Sequence, residues 1–245
     1  MIVEVKISHC PHCDSVSIIK NGHDYKGAQK YHCKSCNTYG TLNKKGSSAR
    51  SQRNQVMDAY FERVSMRGIE RIFNVSRHYL AHWLLEIAAK LPLLLTPLLK
   101  WQPGDILELD ELWSFVLKKS QKRWIWLALC RRTRQIVAYV IGDRSENTCR
   151  ELWKQIPVEY KACRTFSDFW EAYQKVFPEN SHQSVGKESG QTAHIERWNN
   201  TLRQRLARFV RKTLSFSKSD RFHKAALSIF IHRYNRLCMQ RISQL

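Results

Sequence analysis

Two pairs of cysteines near the start of the chain place the strongest constraint on its fold. Cys10 and Cys13 form one CxxC pair, and Cys33 and Cys36 form the second. Each pair can present two thiolates to one ion, and four thiolates complete the closed tetrahedral site of a structural zinc ion. A redox-active pair is the alternative, but redox chemistry needs no second pair at this spacing. The pattern therefore predicts a Zn²⁺ site.

The segment around these cysteines is too short to fold on an apolar core of its own. A module of about 40 residues buries little surface, so bound metal would supply its folding free energy. Between the two pairs, Gly22 and Gly27 mark turns beside two short strand-like runs. The other four of the eight cysteines are scattered, which favours metal binding in a reducing compartment over a disulfide framework. We predict a zinc-ribbon domain over residues 1–45.

The balance of charges indicates a polyanionic partner. Lys and Arg number 41 against 21 Asp and Glu, which gives a formal net charge of +20. Nucleic acid is the first candidate, because Lys and Arg bind phosphates without regard to sequence. A basic membrane-surface protein is disfavoured, since the longest apolar run, at 91–99, is cut by two prolines and falls short of the roughly 20 residues that span a bilayer. The N-terminus lacks a signal-peptide pattern, so we expect a cytoplasmic, nucleoid-associated protein.

A helical region follows the zinc-ribbon segment. Residues 41–54 are rich in Lys, Arg and Ser, and we interpret them as a basic linker. Residues 56–64 and 66–73 then show the periodicity of two short helices, and Ser76 stands where an N-cap would begin a third. Two short helices joined by a tight turn are the helix-turn-helix arrangement, although any small three-helix unit gives similar periodicity. We predict a helix-turn-helix domain over residues 46–100.

The third helix of this domain opens with side chains suited to the major groove of DNA. Arg77 and His78, followed by Ala81 and His82, would face the groove, so we expect sequence readout near Arg77 and His78. The predicted core of the domain is apolar and comprises Ile69, Ile72, Phe73, Val75, Leu80 and Leu84.

From Trp101 onward, strand-like and helical patterns are combined. In order they are strands at 105–116, 124–130 and 135–142, a helix at 146–156, a strand at 164–168, a helix from Phe169 and a helix at 192–205. Three meandering strands, a helix, a fourth strand and further helices are typical of a mixed α/β layer fold of the ribonuclease-H-like kind. We predict such a domain over residues 101–245.

Three acidic side chains of this domain are expected to meet. Asp110 lies in the middle of the first strand, Asp168 at the end of the fourth, and Glu196 on the last helix. An apolar strand rarely buries an Asp unless its carboxylate is paired or binds a metal. Converging carboxylates repel one another, and Mg²⁺ or Mn²⁺ removes that repulsion. Two such ions can activate a water or a 3′-hydroxyl and stabilise the leaving oxygen of a phosphodiester.

Three neighbouring acids are weaker candidates for the same site. By strand alternation Glu108 shares a face with Asp110, so it is a candidate substitute ligand. Glu111 takes the opposite face, and we expect it at a solvated edge. Asp143 follows the third strand and is explained more simply as part of a turn and helix cap.

The helix at 192–205 carries Glu196 on the flank between two faces. One face is apolar and comprises Ile195, Trp198, Leu202, Leu206 and Phe209, whereas Arg197, Gln204, Arg208 and Arg211 point away from it. A surface ion pair between Glu196 and Arg203 is the simpler alternative to a role in a site.

The segment after Glu196 is strongly basic, with 12 Lys and Arg and a single acid, Asp220. A run of charge is usually a solvated face. Here aromatic side chains alternate with the basic ones, so the helices can pack on the core while their outer faces follow a phosphate backbone. The candidate DNA contacts are Arg203, Arg208, Arg211 and Lys212.

Taken together, these motifs resemble those of the insertion-sequence-one family of transposases, which are normally encoded as InsA and InsB frames and here lie on one continuous chain. The resemblance is carried by the CysProHisCys segment that begins at Cys10, LeuAspGluLeuTrp at 109–113, ThrPheSerAsp at 165–168, and residues 195–208 and 212–219. It implies a DDE recombinase that cuts and joins double-stranded DNA at the terminal inverted repeats of its element. Asp110, Asp168 and Glu196 would then be the metal-binding carboxylates.

Transposition requires two element ends held together, so its mechanism implies a homo-oligomer on DNA. The runner-up is a DNA-binding regulator without catalysis, built from the zinc ribbon and helix-turn-helix, and a decayed transposase copy is a third reading. The three carboxylates distinguish these classes, since a pure binding module has no use for them.

Overall fold

The structure is a computed structural model. It describes residues 8–13, 15–25, 27–42 and 45–244, with the backbone alone at 45–50. The chain divides into two compact units, Met1–Met57 and Asp58–Leu245. The three predicted domains remain a prediction. Within the described residues, no helix is both long enough and apolar enough to cross a membrane.

The first unit contains a small antiparallel sheet. Its strands are β1 (Ile18–His23), β2 (Gln29–Cys33) and β3 (Tyr39–Thr41), in the order β1-β2-β3. The sequence predicted two strands here, and the third pairs with β2 after the second cysteine pair. Gly27 adopts a φ of +80° in the turn between β1 and β2, a conformation that glycine reaches without strain.

Helix α1 (Lys45–Tyr60) corrects the predicted basic linker at 41–54, because it begins inside that segment. Composition misled the prediction. Lys, Arg and Ser suggested a linker, but the chain has neither Gly nor Pro between Gly46 and Gly68, so no residue there prevents a helix.

Two short helices follow in the second unit, as the sequence predicted. Helix α2 (Met66–Phe73) is capped by Ser65, and helix α3 (Arg77–Ala89) is capped by Ser76, whose hydroxyl accepts a hydrogen bond from the backbone of Tyr79. Asn74 ends α2 in the left-handed conformation, with a φ of +53°. The chain therefore turns sharply between the two helices.

Most of the core predicted for these helices is confirmed. Ile69, Leu80 and Leu84 are fully buried. The expectation for Ile72 is wrong, since its side chain is 66% exposed. Ile69 lies in the middle of this two-turn helix, whereas Ile72 lies in its last turn, just before the C-cap Asn74.

A five-stranded mixed sheet organises the rest of the second unit. Its strands are β4 (Ile106–Phe115), β5 (Lys122–Cys130), β6 (Ile136–Gly142), β7 (Arg164–Ser167) and β8 (His182–Ser184). The order is β6-β5-β4-β7-β8, with β6, β5 and β4 antiparallel and β4, β7 and β8 parallel. The sequence predicted the first four strands and missed β8, whose three polar residues lack the apolar signal of a strand.

Four helices accompany this sheet: α4 (Glu146–Gln155), α5 (Glu171–Val176), α6 (Ala193–Arg205) and α7 (Asp220–Ile242). One core cluster joins β4 and β5 to α4 and α5, with Trp126 and Tyr173 in edge contact. Trp198 of α6 packs edge-on against Phe230 of α7. The sheet is thus packed closely enough to hold the polar side chains along β4 in fixed positions.

Candidate active site

Asp110 lies at the fifth position of β4, as predicted, and its carboxylate accepts one hydrogen bond from α6 and one from the next residue of β4. The side-chain amide of Asn199, on α6, donates to Asp110 Oδ2 at 2.7 Å, and the backbone N–H of Glu111 donates to Oδ1 at 2.8 Å. Burial, and then the nearby carboxylate of Glu111, raise the pKa of Asp110 to about 7. The site therefore disfavours an uncompensated negative charge at this position.

Asp168 follows the last residue of β7, and sheet topology brings it to Asp110. Strands β7 and β4 run parallel, with Phe166 opposite Glu108, so the chain leaves β7 beside the middle of β4. The backbone N–H of Trp170 donates to Asp168 Oδ1 at 3.0 Å and fixes the turn. Carboxylate oxygens of Asp110, Glu111 and Asp168 all lie within 4.8 Å of one another.

Glu111 is the main correction to the predicted site. It was expected at a solvated edge, yet its side chain is 2% exposed. Arg144 donates to Glu111 Oε1 from Nε at 2.9 Å, and the Tyr173 hydroxyl donates to Oε2 at 3.0 Å. The Arg144 guanidinium also lies 4.0 Å from the centre of the Trp170 ring. The Glu111 side chain is covered by α5 and by the loops before α4 and α5, through Tyr173, Arg144 and Trp170.

Glu108 does not serve as the substitute ligand that was expected. It is fully buried, and both of its oxygens accept hydrogen bonds from Arg131 and from the first turn of α6. Its lone pairs are committed to the protein. Among the described residues, the acidic group that can hold a metal comprises Asp110, Glu111 and Asp168 instead.

Glu196 lies in the first turn of α6, half-buried, and it is outside that group of three in the described part of the chain. Its Oε1 accepts a hydrogen bond from the Thr192 hydroxyl at 3.0 Å, within its own helix. One turn further along, Asn199 reaches Asp110. The helix that carries Glu196 is therefore held against β4, and Glu196 lies one turn from the contact.

The acidic group has the chemistry of a divalent-cation site. Its donors are hard carboxylate oxygens, which suit Mg²⁺ and Mn²⁺. Burial, and then Asp168, raise the pKa of Glu111, so the carboxylates destabilise one another without a cation. The Oδ1 of Asn199 is buried and has no hydrogen-bond partner in the structure, which leaves one further oxygen free beside Asp110. The residues present fit a bound cation.

The four cysteines of the first unit also form one cluster. Cys10 Sγ lies 3.7 Å from Cys36 Sγ, and Cys13 Sγ lies 3.6 Å from Cys33 Sγ. A tetrahedral ion with metal–sulfur bonds of about 2.3 Å places its sulfurs about 3.8 Å apart, so the spacing fits. Hydrogen bonds from the side chain and then the backbone of Thr38 lower the pKa of Cys36 to about 6. At Cys36 this favours the thiolate, the form that binds metal. The pKa of Cys13 is raised to about 12, because the backbone hydrogen bond at Ser15, which lowers it, is outweighed by hydrogen bonds with the other cysteines and by burial.

Comparison with known proteins identifies the family. A family model described as IS1 transposase matches residues 106–236, which is just over half of the chain. The chain belongs to the IS1 transposase family. The matched segment includes β4, β7 and α6, and hence all the acidic residues described above.

Individual proteins of this family are similar to about half of the chain. The insertion element iso-IS1n protein InsB of Shigella dysenteriae is 39% identical over 129 residues, which cover 53% of this chain and 95% of that protein. The insertion element IS1 protein InsB of Shigella flexneri is 35% identical over 125 residues, which cover 51% of this chain and 92% of that protein. The insertion element IS1 4 protein InsB of Escherichia coli K12 is 35% identical over 135 residues, which cover 54% of this chain and 78% of that protein.

The basic side chains predicted to contact DNA differ in their exposure in this IS1-family chain. Arg77, His78, Arg211 and Lys212 are exposed. Arg208 is a correction: it is 7% exposed, and its guanidinium donates to the Phe222 carbonyl at 3.1 Å. Helix α6 ends at Arg205, so the wheel that pointed Arg208 outward does not apply. Arg208 belongs to the core and not to an outer face.

Arg203 interacts electrostatically with both Asp110 and Arg211. Its side chain is half-buried, and its Nε has no hydrogen-bond partner in the structure. Burial, and then the neighbouring Arg211, lower its pKa, while the Asp110 carboxylate opposes that change. Arg203 is therefore a predicted DNA contact whose guanidinium is close enough to interact electrostatically with the Asp110 carboxylate.

Proposed function

We propose that this protein is a DDE transposase that binds the terminal inverted repeats of its element and catalyses metal-dependent cleavage and strand transfer of double-stranded DNA. The observation that carries the proposal is the meeting of Asp110 and Asp168, from the parallel strands β4 and β7, in a chain of the IS1 transposase family. The order β6-β5-β4-β7-β8, with three antiparallel strands followed by two parallel ones, supports a ribonuclease-H-like catalytic domain.

In this proposal Asp110, Asp168 and Glu196 hold Mg²⁺ or Mn²⁺. Such ions, when bound, activate the attacking oxygen and stabilise the leaving oxygen of a phosphodiester. The protein's part is positioning: Asn199 orients Asp110 through its amide, and the turn at Trp170 orients Asp168. Glu196 comes from the helix that presents Asn199. Arg203 is placed to contact a phosphate close to the reacting one.

The N-terminal half supplies DNA recognition in the same proposal. The four cysteines bind Zn²⁺, which folds the ribbon. Helices α2 and α3 form a helix-turn-helix, with the exposed Arg77 and His78 at the start of α3 reading bases. Two copies of the chain hold the two element ends, and InsA-like and InsB-like parts lie on one polypeptide.

Binding by α3 and binding by the basic C-terminal segment should respond differently to mutation. We expect His78→Ala to weaken binding to the element end about tenfold and to leave binding to unrelated DNA unchanged. Arg211→Ala should weaken both equally and reduce the slope of log affinity against log salt by about one. Fluorescence anisotropy with the two duplexes over a salt series measures both quantities. Equal loss on both duplexes for His78→Ala would reject base readout by α3.

Transposition of a marked element in cells tests the proposed function. With the protein supplied from a separate plasmid, the wild type should mobilise the element, and Glu196→Gln should lower the frequency at least about a hundredfold. Glu188→Gln is the matched control, because Glu188 is an exposed acid in the loop before α6. Mobilisation by Glu196→Gln at the wild-type frequency would exclude Glu196 from the site, and no mobilisation by the wild type would favour a regulator or decayed copy.

A further inference from the structure

Helix α6 begins without a cap from its own side chains. Thr192 is the N-cap residue, but its hydroxyl makes no hydrogen bond to the first-turn backbone and donates to Glu196 instead. The carboxylate of Glu108, on β4, takes the place of a cap. Its Oε2 accepts the backbone N–H groups of His194 at 2.9 Å and Ile195 at 3.0 Å. Two otherwise unpaired donors of the helix start are thereby satisfied from a different element.

The other oxygen of Glu108 is occupied as well. Its Oε1 accepts from Arg131 Nε at 2.7 Å and from His194 Nδ1 at 2.6 Å, and Arg131 also donates to the Gln191 carbonyl at 2.6 Å. The Glu108 side chain is 0% exposed. A carboxylate is stable in a buried position only when its oxygens accept hydrogen bonds. If the carboxylate is removed, each of its donors is left buried without a hydrogen-bond partner. Four donors thus depend on this one side chain.

Glu108 and helix α6 are both close to the acidic group. Glu108 precedes Asp110 by two residues on β4, and Asn199 of α6 donates to Asp110. Helix α6 is therefore attached to β4 at two points, through its first turn and through Asn199. Glu196 lies on the helix between them. Movement of the helix start would move Glu196 relative to Asp110 and Asp168.

We propose that Glu108 is a positioning residue, which caps α6 and sets the distance of Glu196 from the other two carboxylates. The inference rests on the proposed function in so far as these acids share a metal ion. Groups that orient metal ligands typically change metal affinity by 10-fold to 100-fold when they are replaced. We expect a change of this size on replacement of Glu108, although its own carboxylate oxygens accept hydrogen bonds from protein groups.

Glu108→Gln tests the proposal, because the amide keeps the shape but replaces one acceptor oxygen with a donor. We expect faster hydrogen exchange in the peptide that contains His194 and Ile195. We also expect Mn²⁺ affinity, measured by electron paramagnetic resonance on the zinc-loaded full chain, to fall by roughly 10-fold to 100-fold. Strand joining should fall in parallel, with DNA affinity unchanged.

Asp105→Asn is the matched control. Asp105 is also a buried carboxylate, 1% exposed in its side chain, and it accepts from Arg132 at 2.6 Å and 2.8 Å and from the Gln102 backbone at 2.9 Å. Its replacement breaks a comparable network without touching α6. We expect a similar loss of thermal stability but no change in Mn²⁺ affinity. If Glu108→Gln lowers Mn²⁺ affinity no more than Asp105→Asn does, the positioning role is overturned.

Two further outcomes are informative. If Glu108→Gln fails to fold, Arg131→Lys serves in its place. Arg131 is partly exposed, and Lys at this position lacks the planar set of N–H donors of the guanidinium. We expect Arg131→Lys to lower Mn²⁺ affinity less than Glu108→Gln does. Wild-type Mn²⁺ affinity in that case would reject the proposal. If the wild type binds Mn²⁺ and Glu108→Gln binds it weakly but neither joins DNA, the proposed function fails while the positioning role stands.

Discussion

Replacement of Asp110 by Asn should lower strand joining by on the order of a thousandfold or more, while the protein remains folded. Asn199 donates to one oxygen of Asp110, and the carboxylates of Glu111 and Asp168 lie close by. Asn at this position retains an acceptor oxygen but removes the charge that a divalent cation requires. We expect the activity to disappear without a comparable loss of stability.

The thermal stability of Asp110→Asn gives a second test, because the raised pKa of Asp110 predicts the direction in which stability changes with pH. In the folded protein the pKa of Asp110 is about 7, against an ordinary value of 3.8. The stability of the protein without Mg²⁺ or Mn²⁺ therefore falls as pH rises from about 4 to about 7, because ionisation is costlier in the folded state. Asp110→Asn should remove this loss and melt at a higher temperature than the wild type at pH 8.

Thermal melting with and without Mn²⁺ completes the test of Asp110. Added Mn²⁺ should raise the melting temperature of the wild type and leave that of Asp110→Asn unchanged. Glu188→Gln, an exposed change, should behave like the wild type in both assays. A variant at Asp110 that still joins DNA would contradict the assignment of this carboxylate.

Cys13→Ser should release the zinc and unfold the ribbon. Cys13 is exposed, so its side chain contributes little apolar burial, and its loss acts mainly through the metal. Structural zinc contributes about 10–16 kcal/mol of apparent binding free energy in modules of this size, far more than their small cores supply. We expect zinc content, measured by inductively coupled plasma mass spectrometry, to fall from about one ion per chain to near zero.

A cysteine outside the cluster provides the control for this prediction. Cys149→Ala removes a buried thiol of α4 and should keep the zinc. Binding to the element end should weaken in Cys13→Ser and persist in Cys149→Ala. Zinc content that is unchanged in Cys13→Ser would show that the four sulfurs do not form a single closed metal site.

Local signals were sufficient for much of the fold. The apolar runs that became β4, β5 and β6 and the N-cap Ser76 are features of neighbouring residues, and they need no knowledge of distant ones. The linker prediction at 41–54 failed because it relied on the abundance of Lys, Arg and Ser, a composition that is also compatible with a helix. Strand β8 was missed because it lies at the edge of the sheet and consists of polar residues, so it lacks the apolar pattern from which buried strands are predicted.

The sequence predicted two members of the acidic group, Asp110 and Asp168, but it did not predict the third, Glu111, or the surroundings of the group. Asp110 and Asp168 meet because β4 and β7 are parallel neighbours, which the order of elements implied. The buried environment of Glu111 depends on Arg144, Tyr173 and Trp170, which are distant in sequence. Alternation along a strand reveals which face a side chain takes, but it does not reveal what covers that face.

Two other side chains show the same limit of local patterns. Glu108 caps a helix that begins more than eighty residues later, and this could be learned only from the tertiary structure. Arg208 was assigned to an outer face because the helix wheel was extended past Arg205, where α6 ends. Sequence periodicity identifies a helix more reliably than it identifies its last residue.

Strand cleavage and joining on a labelled oligonucleotide duplex that carries the element's end is the most direct measurement of the central claim. With Mg²⁺ or Mn²⁺, the wild type should produce cleaved and joined strands, and chelation with EDTA or the change Glu196→Gln should abolish both products. Binding of the duplex without cleavage under any metal condition, or cleavage that persists in EDTA, would contradict a metal-dependent DDE transposase.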